Sequence, residues 1–68
     1  MSQWQTVFKT SQSYQAEIVK GVLSESGIQS VIVNKQDSVY HFGYYEVNVE
    51  QDQVLRALQI VENDINFK

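Results

Sequence analysis

Gly27-Ile28-Gln29-Ser30-Val31-Ile32-Val33-Asn34-Lys35-Gln36-Asp37-Ser38-Val39-Tyr40-His41-Phe42-Gly43-Tyr44-Tyr45-Glu46-Val47-Asn48-Val49-Glu50 is the stretch that decides the fold. From Tyr45 onward, Tyr45, Val47 and Val49 alternate with Glu46, Asn48 and Glu50, the period-two pattern of a strand with one buried and one wet face. Ile28 to Asn34 predicts a second strand, with Val31 and Val33 on one side and Ile32 on the other. Between them lies a polar and aromatic connector, Asn34 to Gly43. Gly27 can take the left-handed conformation just past a helix, and Ile28 would then touch Leu23, the Schellman arrangement.

Working outward, the segment before Gly27 predicts a helix from about Tyr14 to Ser26. Tyr14, Ile18, Val19, Val22 and Leu23 share one broad face, opposite Glu17, Lys20 and Ser24. Hydroxyls for its N-cap are expected among Ser11 to Ser13. Gly21, in the middle of this helix, is either a tolerated cost of about 1 kcal/mol or a point of close backbone approach. Trp4 to Lys9 forms the first strand, with Trp4, Thr6 and Phe8 on one side and Gln5, Val7 and Lys9 on the other. After Glu50 a second helix begins, its acidic start suited to the positive end of the helix dipole. Val54, Ala57, Leu58 and Val61 are its expected buried stripe, and Asp52 and Arg56 can pair across one turn. Asn63 is a candidate stop, with Asp64 to Phe67 as a short final strand; the alternative is that Ile65 extends the helical stripe.

The order strand, helix, strand, strand, helix, with that optional last strand, predicts an α+β fold in two layers. A right-handed crossover with the third strand placed between the first two gives the split βαβ, ferredoxin-like arrangement, with both helices on one face of an antiparallel sheet. The chain has 68 residues, enough for one domain spanning residues 1–68. So short a chain draws only about 3–5 kcal/mol from its core. With no cysteine and a single histidine, neither disulfides nor a two-histidine zinc site can supplement it. That leaves self-association or good packing as the source of further stability.

Eight acidic and five basic residues give a net charge of −3, and the basic side chains are scattered singly. No stripe exists to neutralise successive phosphates, so nucleic acid is not an expected partner. No apolar run is long enough to span a membrane, and the start lacks a signal-peptide pattern, so a cytoplasmic protein is expected. Phosphate-binding glycine loops and a base-and-orienter triad are absent. Glu46 and Glu50, four apart on one strand, would stand about 13 Å apart, too far for a glycosidase pair. No catalytic residue, metal ligand or cofactor is expected.

Two surfaces remain. The connector gathers Asn34, Lys35, Asp37, Ser38, Tyr40, His41 and Phe42, a set that suits a recognition loop on a rigid scaffold and equally a long structural hairpin. The sheet face away from the helices could gather Trp4, Phe8, Ile32 and Tyr44 into an apolar interface. The first reading makes the chain a non-enzymatic binding or regulatory module for a protein or small ligand. The second makes it a homo-oligomerisation module.

Several short motifs also carry a resemblance. Trp4 opening the first strand is followed by Tyr14-Gln15-Ala16-Glu17-Ile18-Val19-Lys20 and by Leu23 leading to Gly27-Ile28. Val33-Asn34-Lys35-x-Asp37-Ser38, Gly43, Val47-x-Val49 and Ala57-Leu58 come after. Together they resemble a family of small bacterial domains of unknown function named putative prokaryotic signal-transducing protein. The resemblance implies a ferredoxin-like core and a distant relation to the PII-type nitrogen regulators. In those regulators the loop between the second and third strands contacts partner proteins, and the Asn34–Gly43 connector holds the equivalent place. The chain has no counterpart to their nucleotide-binding residues, so nucleotide binding is not implied.

Overall fold

The computed structural model describes residues 3–37 and 42–65. Strand β1 (Trp4–Thr10) leads into helix α1 (Ser13–Glu25), then strand β2 (Ser30–Asp37), strand β3 (Phe42–Glu50), a 3₁₀ turn at Gln51–Gln53 and helix α2 (Val54–Asp64). The sheet order is β1-β3-β2, and both pairings are antiparallel. α1 packs on all three strands, α2 packs on β1 and β3, and the two helices touch. This is the α+β, ferredoxin-like layout expected, and a thickness of 15 Å leaves room for only one helix layer on one sheet. Asp64 belongs to α2 and Ile65 is extended, so the helix passes the stop expected at Asn63. The rest of the expected final strand lies outside the described residues.

The core follows from the pleat of β3. Val47 and Val49 have no exposed surface, and Ala16, Val19, Leu23 and Ala57 close over them equally completely. Two of these are alanines, one per helix, and their small side chains let the helix backbones settle close onto the sheet. Large apolar residues then fill the margins: Phe8, Ile32, Tyr45, Val54, Ile60, Val61 and Ile65 pack against the buried cluster.

The end of α1 behaves as its residues dictate. Gly27 has φ of +82°. The Ile28 N–H donates to the Leu23 carbonyl at 2.8 Å and the Gly27 N–H to the Ser24 carbonyl at 3.0 Å, the paired bonds of a Schellman turn. Leu23 and Ile28 are both buried, which supplies the apolar contact of that motif. Ile28 therefore serves as the anchor of the turn, and β2 starts two residues later than expected.

The helix start differs. Gln12, at the N-cap, makes no side-chain cap bond. Thr10 acts in place of the serines: its Oγ1 accepts from the Gln12 N–H at 3.1 Å and donates to Gln15 Oε1 at 2.5 Å. This bond also explains a glutamine inside the apolar arc. The buried stripe of α1 is rotated from the expected one. Ala16, Val19 and Leu23 are buried, whereas Tyr14 and Ile18 stand 57% and 46% exposed. Those two lie about 140° and 100° around the helix from Val19, too far to reach the sheet. In α2, Ile60 takes the place expected for Leu58, which is 42% exposed. Arg56 reaches to α1, donating from Nη2 to the Ser26 carbonyl at 3.0 Å, where a cation suits the negative helix end.

β1 departs from simple alternation. Thr6 stands opposite Asn48 and Phe8 opposite Val47, so Val7 is an extra residue, a β-bulge. The bulge turns Val7 and Phe8 both toward the core. Before it, Trp4 and Thr6 face away from the helices; after it, Lys9 does. The expected grouping of Trp4, Thr6 and Phe8 on one side is thereby broken at Phe8.

The two described glycines outside the hairpin, Gly21 and Gly27, should answer mutation with opposite signs. A Cβ at either would meet no atom within 4 Å. Gly21→Ala should stabilise the protein by about 1 kcal/mol through helix propensity. Gly27→Ala should destabilise it by about 1 kcal/mol, because only the left-handed backbone resists the change. Urea denaturation measures both. The same assay should show Leu23→Ala costing about 2–5 kcal/mol and Leu55→Ala, at a site 79% exposed, less than about 0.5 kcal/mol.

Candidate functional site

Strand pairing sorts the candidate residues by face, because residues directly opposite one another point to the same side. Facing the helices are Gln5-Val49-Ser30, Phe8-Val47-Ile32 and Thr10-Tyr45-Asn34. Facing away are Trp4-Glu50, Thr6-Asn48-Val31, Lys9-Glu46-Val33 and Tyr44-Lys35. The apolar interface set is thus divided. Trp4, 41% exposed, and Tyr44, half-buried, lie on the open face. Phe8 and Ile32 pack against the core beneath the helices, Phe8 because of the bulge and Ile32 because it opposes Val47. Val31 and Val33 take the open-face positions instead.

The open face holds a polar cluster that the linear sequence gave no means of finding. Lys9 Nζ lies 3.9 Å from Glu46 Oε2 and 5.9 Å from the centre of the Tyr44 ring. The Thr6 hydroxyl donates to Glu46 Oε1 at 3.4 Å. The Glu46 side chain is only 12% exposed, shielded by these neighbours from the adjacent strand. The contributing residues are more than thirty positions apart in the chain, so only the β1–β3 register brings them together. The cluster neutralises itself, lysine against glutamate, which suits a structural tie better than a site for charge chemistry. Among the described residues, no three histidine, aspartate or glutamate side chains converge as metal ligands would.

The connector is largely strand. β2 and β3 stay in register through Asn34-Tyr45, Lys35-Tyr44, Gln36-Gly43 and Asp37-Phe42. Asn34, Lys35 and Asp37 therefore belong to β2 and Phe42 to β3, not to a loop. Asn34 and Lys35 are exposed. Ser38, Tyr40 and His41 lie outside the described residues. What positions the group is the length of the ladder: β1 ends at Thr10 opposite Tyr45, and the β2–β3 pairs continue for three rows beyond it. Those rows form a two-stranded ribbon with no third strand beside it among the described residues.

Because the Lys9–Glu46 pair is partly exposed, Glu46→Gln should cost less than about 1 kcal/mol. The cost should shrink further in about 1 M salt, where the screening length falls to about 3 Å. Thermal melts of both proteins at low and high salt check this.

No helix among the described residues is long and apolar enough to cross a membrane. Neither the curated proteins nor the solved structures compared with this chain match it. A family model does match, over residues 4–64, that is, from the first residue of β1 to the last of α2. The expectation raised by the short motifs holds: the chain belongs to the family described as "Putative prokaryotic signal transducing protein".

Proposed function

We propose that the chain is a non-enzymatic binding or regulatory module of the cytoplasm that engages a protein or small ligand through the outer part of the β2–β3 hairpin. The observation that carries this reading is the ribbon. Three strand pairs, Lys35-Tyr44, Gln36-Gly43 and Asp37-Phe42, run past the end of β1. A ribbon of this kind offers two faces and two backbone edges to a partner. Binding groups placed on a projecting segment of a rigid fold can vary without endangering stability. The family's description as signal transducing is compatible with such a role.

A two-dimensional amide NMR titration with ATP, inorganic phosphate and Mg²⁺, each added separately, tests the small-ligand form of this reading. Saturable shifts confined to residues 34–43 are the expected result. Shifts centred on the helices, or none with any of the three, would remove it. The triple variant Lys35→Ala, Asp37→Ala and Tyr40→Ala tests whether the segment is free to serve recognition. Each substitution is expected to fall within about 0.5 kcal/mol, leaving the melting temperature within about 12 °C of the parent for a chain this size. A much larger drop would make the ribbon structural.

A further inference from the structure

We propose that β2 is the self-association edge of this protein, pairing antiparallel with β2 of a second copy about a two-fold axis at Ile32. Among the described residues, β1 and β2 are the outer strands of the sheet. They differ in how they are guarded. β1 carries a bulge at Val7 and a charged residue, Lys9, devices that discourage edge-to-edge pairing. β2 has an unbroken register, and its charged residues, Lys35 and Asp37, lie beyond the stretch Ser30 to Asn34, which contains no charge and no proline. Its centre, Val31-Ile32-Val33, is β-branched throughout, which favours strand pairing.

A second copy is the occupant that these residues fit. Centred on Ile32, the register sets Val31 opposite the partner's Val33 on the open face, where Val31 is 37% exposed and Val33 half-buried. On the helix face it sets Ser30 opposite the partner's Asn34. Ser30 is 6% exposed and its hydroxyl has no hydrogen-bond partner among the described residues. A buried hydroxyl without a partner is costly, and an amide brought alongside offers both a donor and an acceptor.

The helices agree with this arrangement. α1 packs on β2 as well as on β3 and β1, whereas α2 packs on β1 and β3, so α1 is the helix nearer the β2 edge. With strands about 4.8 Å apart, a helix that reaches across from β2 to β1 stands within about two strand spacings of the new junction. Its symmetry mate would stand about 10–15 Å away, within reach of long charged side chains extended from both helices. With the usual right-handed crossover, the flank of α1 turned toward the mate carries exposed Glu17 and Lys20. The proposed pairing sets Glu17 of each copy toward Lys20 of the other across the axis. This pairing uses Ser30 to Asn34 and leaves the projecting rows of the hairpin available, so it goes beyond the function proposed above.

Charge exchange across the axis gives the test. The parent should show a concentration-dependent dimer in sedimentation velocity. Glu17→Lys alone and Lys20→Glu alone should each weaken the dimer about tenfold, since each sets like charges against one another twice. An equimolar mixture of the two single variants, and the double variant, should recover parental association. Both side chains are exposed, and circular dichroism confirms that each variant is folded. In hydrogen exchange, alternate amides of Ser30–Asn34 should slow as concentration rises. A parent that stays monomeric at about 1 mM, a dimer indifferent to both single variants, or a mixture that fails to recover would each overturn the proposal.

Discussion

The burial of one side of β3 is the constraint on which this molecule depends. Val47 and Val49 sit on the central strand with neighbours on both edges and two helices above, and they retain no exposed surface. Nothing else in the chain could supply that burial. It has no cysteine, and the described residues hold no metal-ligand cluster. A small domain with one core must close it efficiently, which is why alanines stand at the two helix–sheet contacts and larger side chains at the margins. The bulge at Val7 serves the same end. It rotates β1 so that Val7 and Phe8 both contribute to a core that strict alternation would have left one aromatic short.

The same economy explains what is left outside. Once Phe8 and Ile32 are drawn inward, the open face of the sheet is a mixed surface: Trp4, Val31, Val33 and Tyr44 interleave with Thr6, Lys9, Glu46 and Asn48. That composition weakens the case for a broad apolar interface there. Contacts are then more readily made at the places where the ladder is incomplete. The hairpin ribbon lies beyond the end of β1, and the outer edge of β2 still has a row of backbone groups to satisfy. Both belong to β2, so one strand can serve recognition at its far end and pairing at its near end.

Local rules read well along this chain where the responsible groups are neighbours in sequence. The Schellman turn at Gly27 needed only Leu23, Ser24, Gly27 and Ile28, all within six residues. The alternation of Tyr45, Val47 and Val49 was equally direct. Failures came where a choice depended on distant partners. Leu58 and Ile60 are both apolar and lie on opposite sides of the Ala57 direction, and only the position of the sheet selects Ile60. Tyr14 and Ile18 look like core residues until small Ala16 is seen to carry the contact. The connector looked like a loop because Asn, Lys, Gln and Asp are poor strand formers, yet the ladder already established between Ser30 and Val33 carries them along as added rows.

By itself, then, the amino-acid order settled the succession of elements, the buried side of β3, the turn that ends α1 and, through its short motifs, the family. These follow from periodicity and from bonds between near neighbours, which chain order expresses directly. Only the folded arrangement decided which way β1 faces after its bulge, where the hairpin outruns its neighbour, and that Lys9 meets Glu46. Each of these depends on how strands slide and turn against one another, and that register is a property of the assembled layers, which no local stretch encodes.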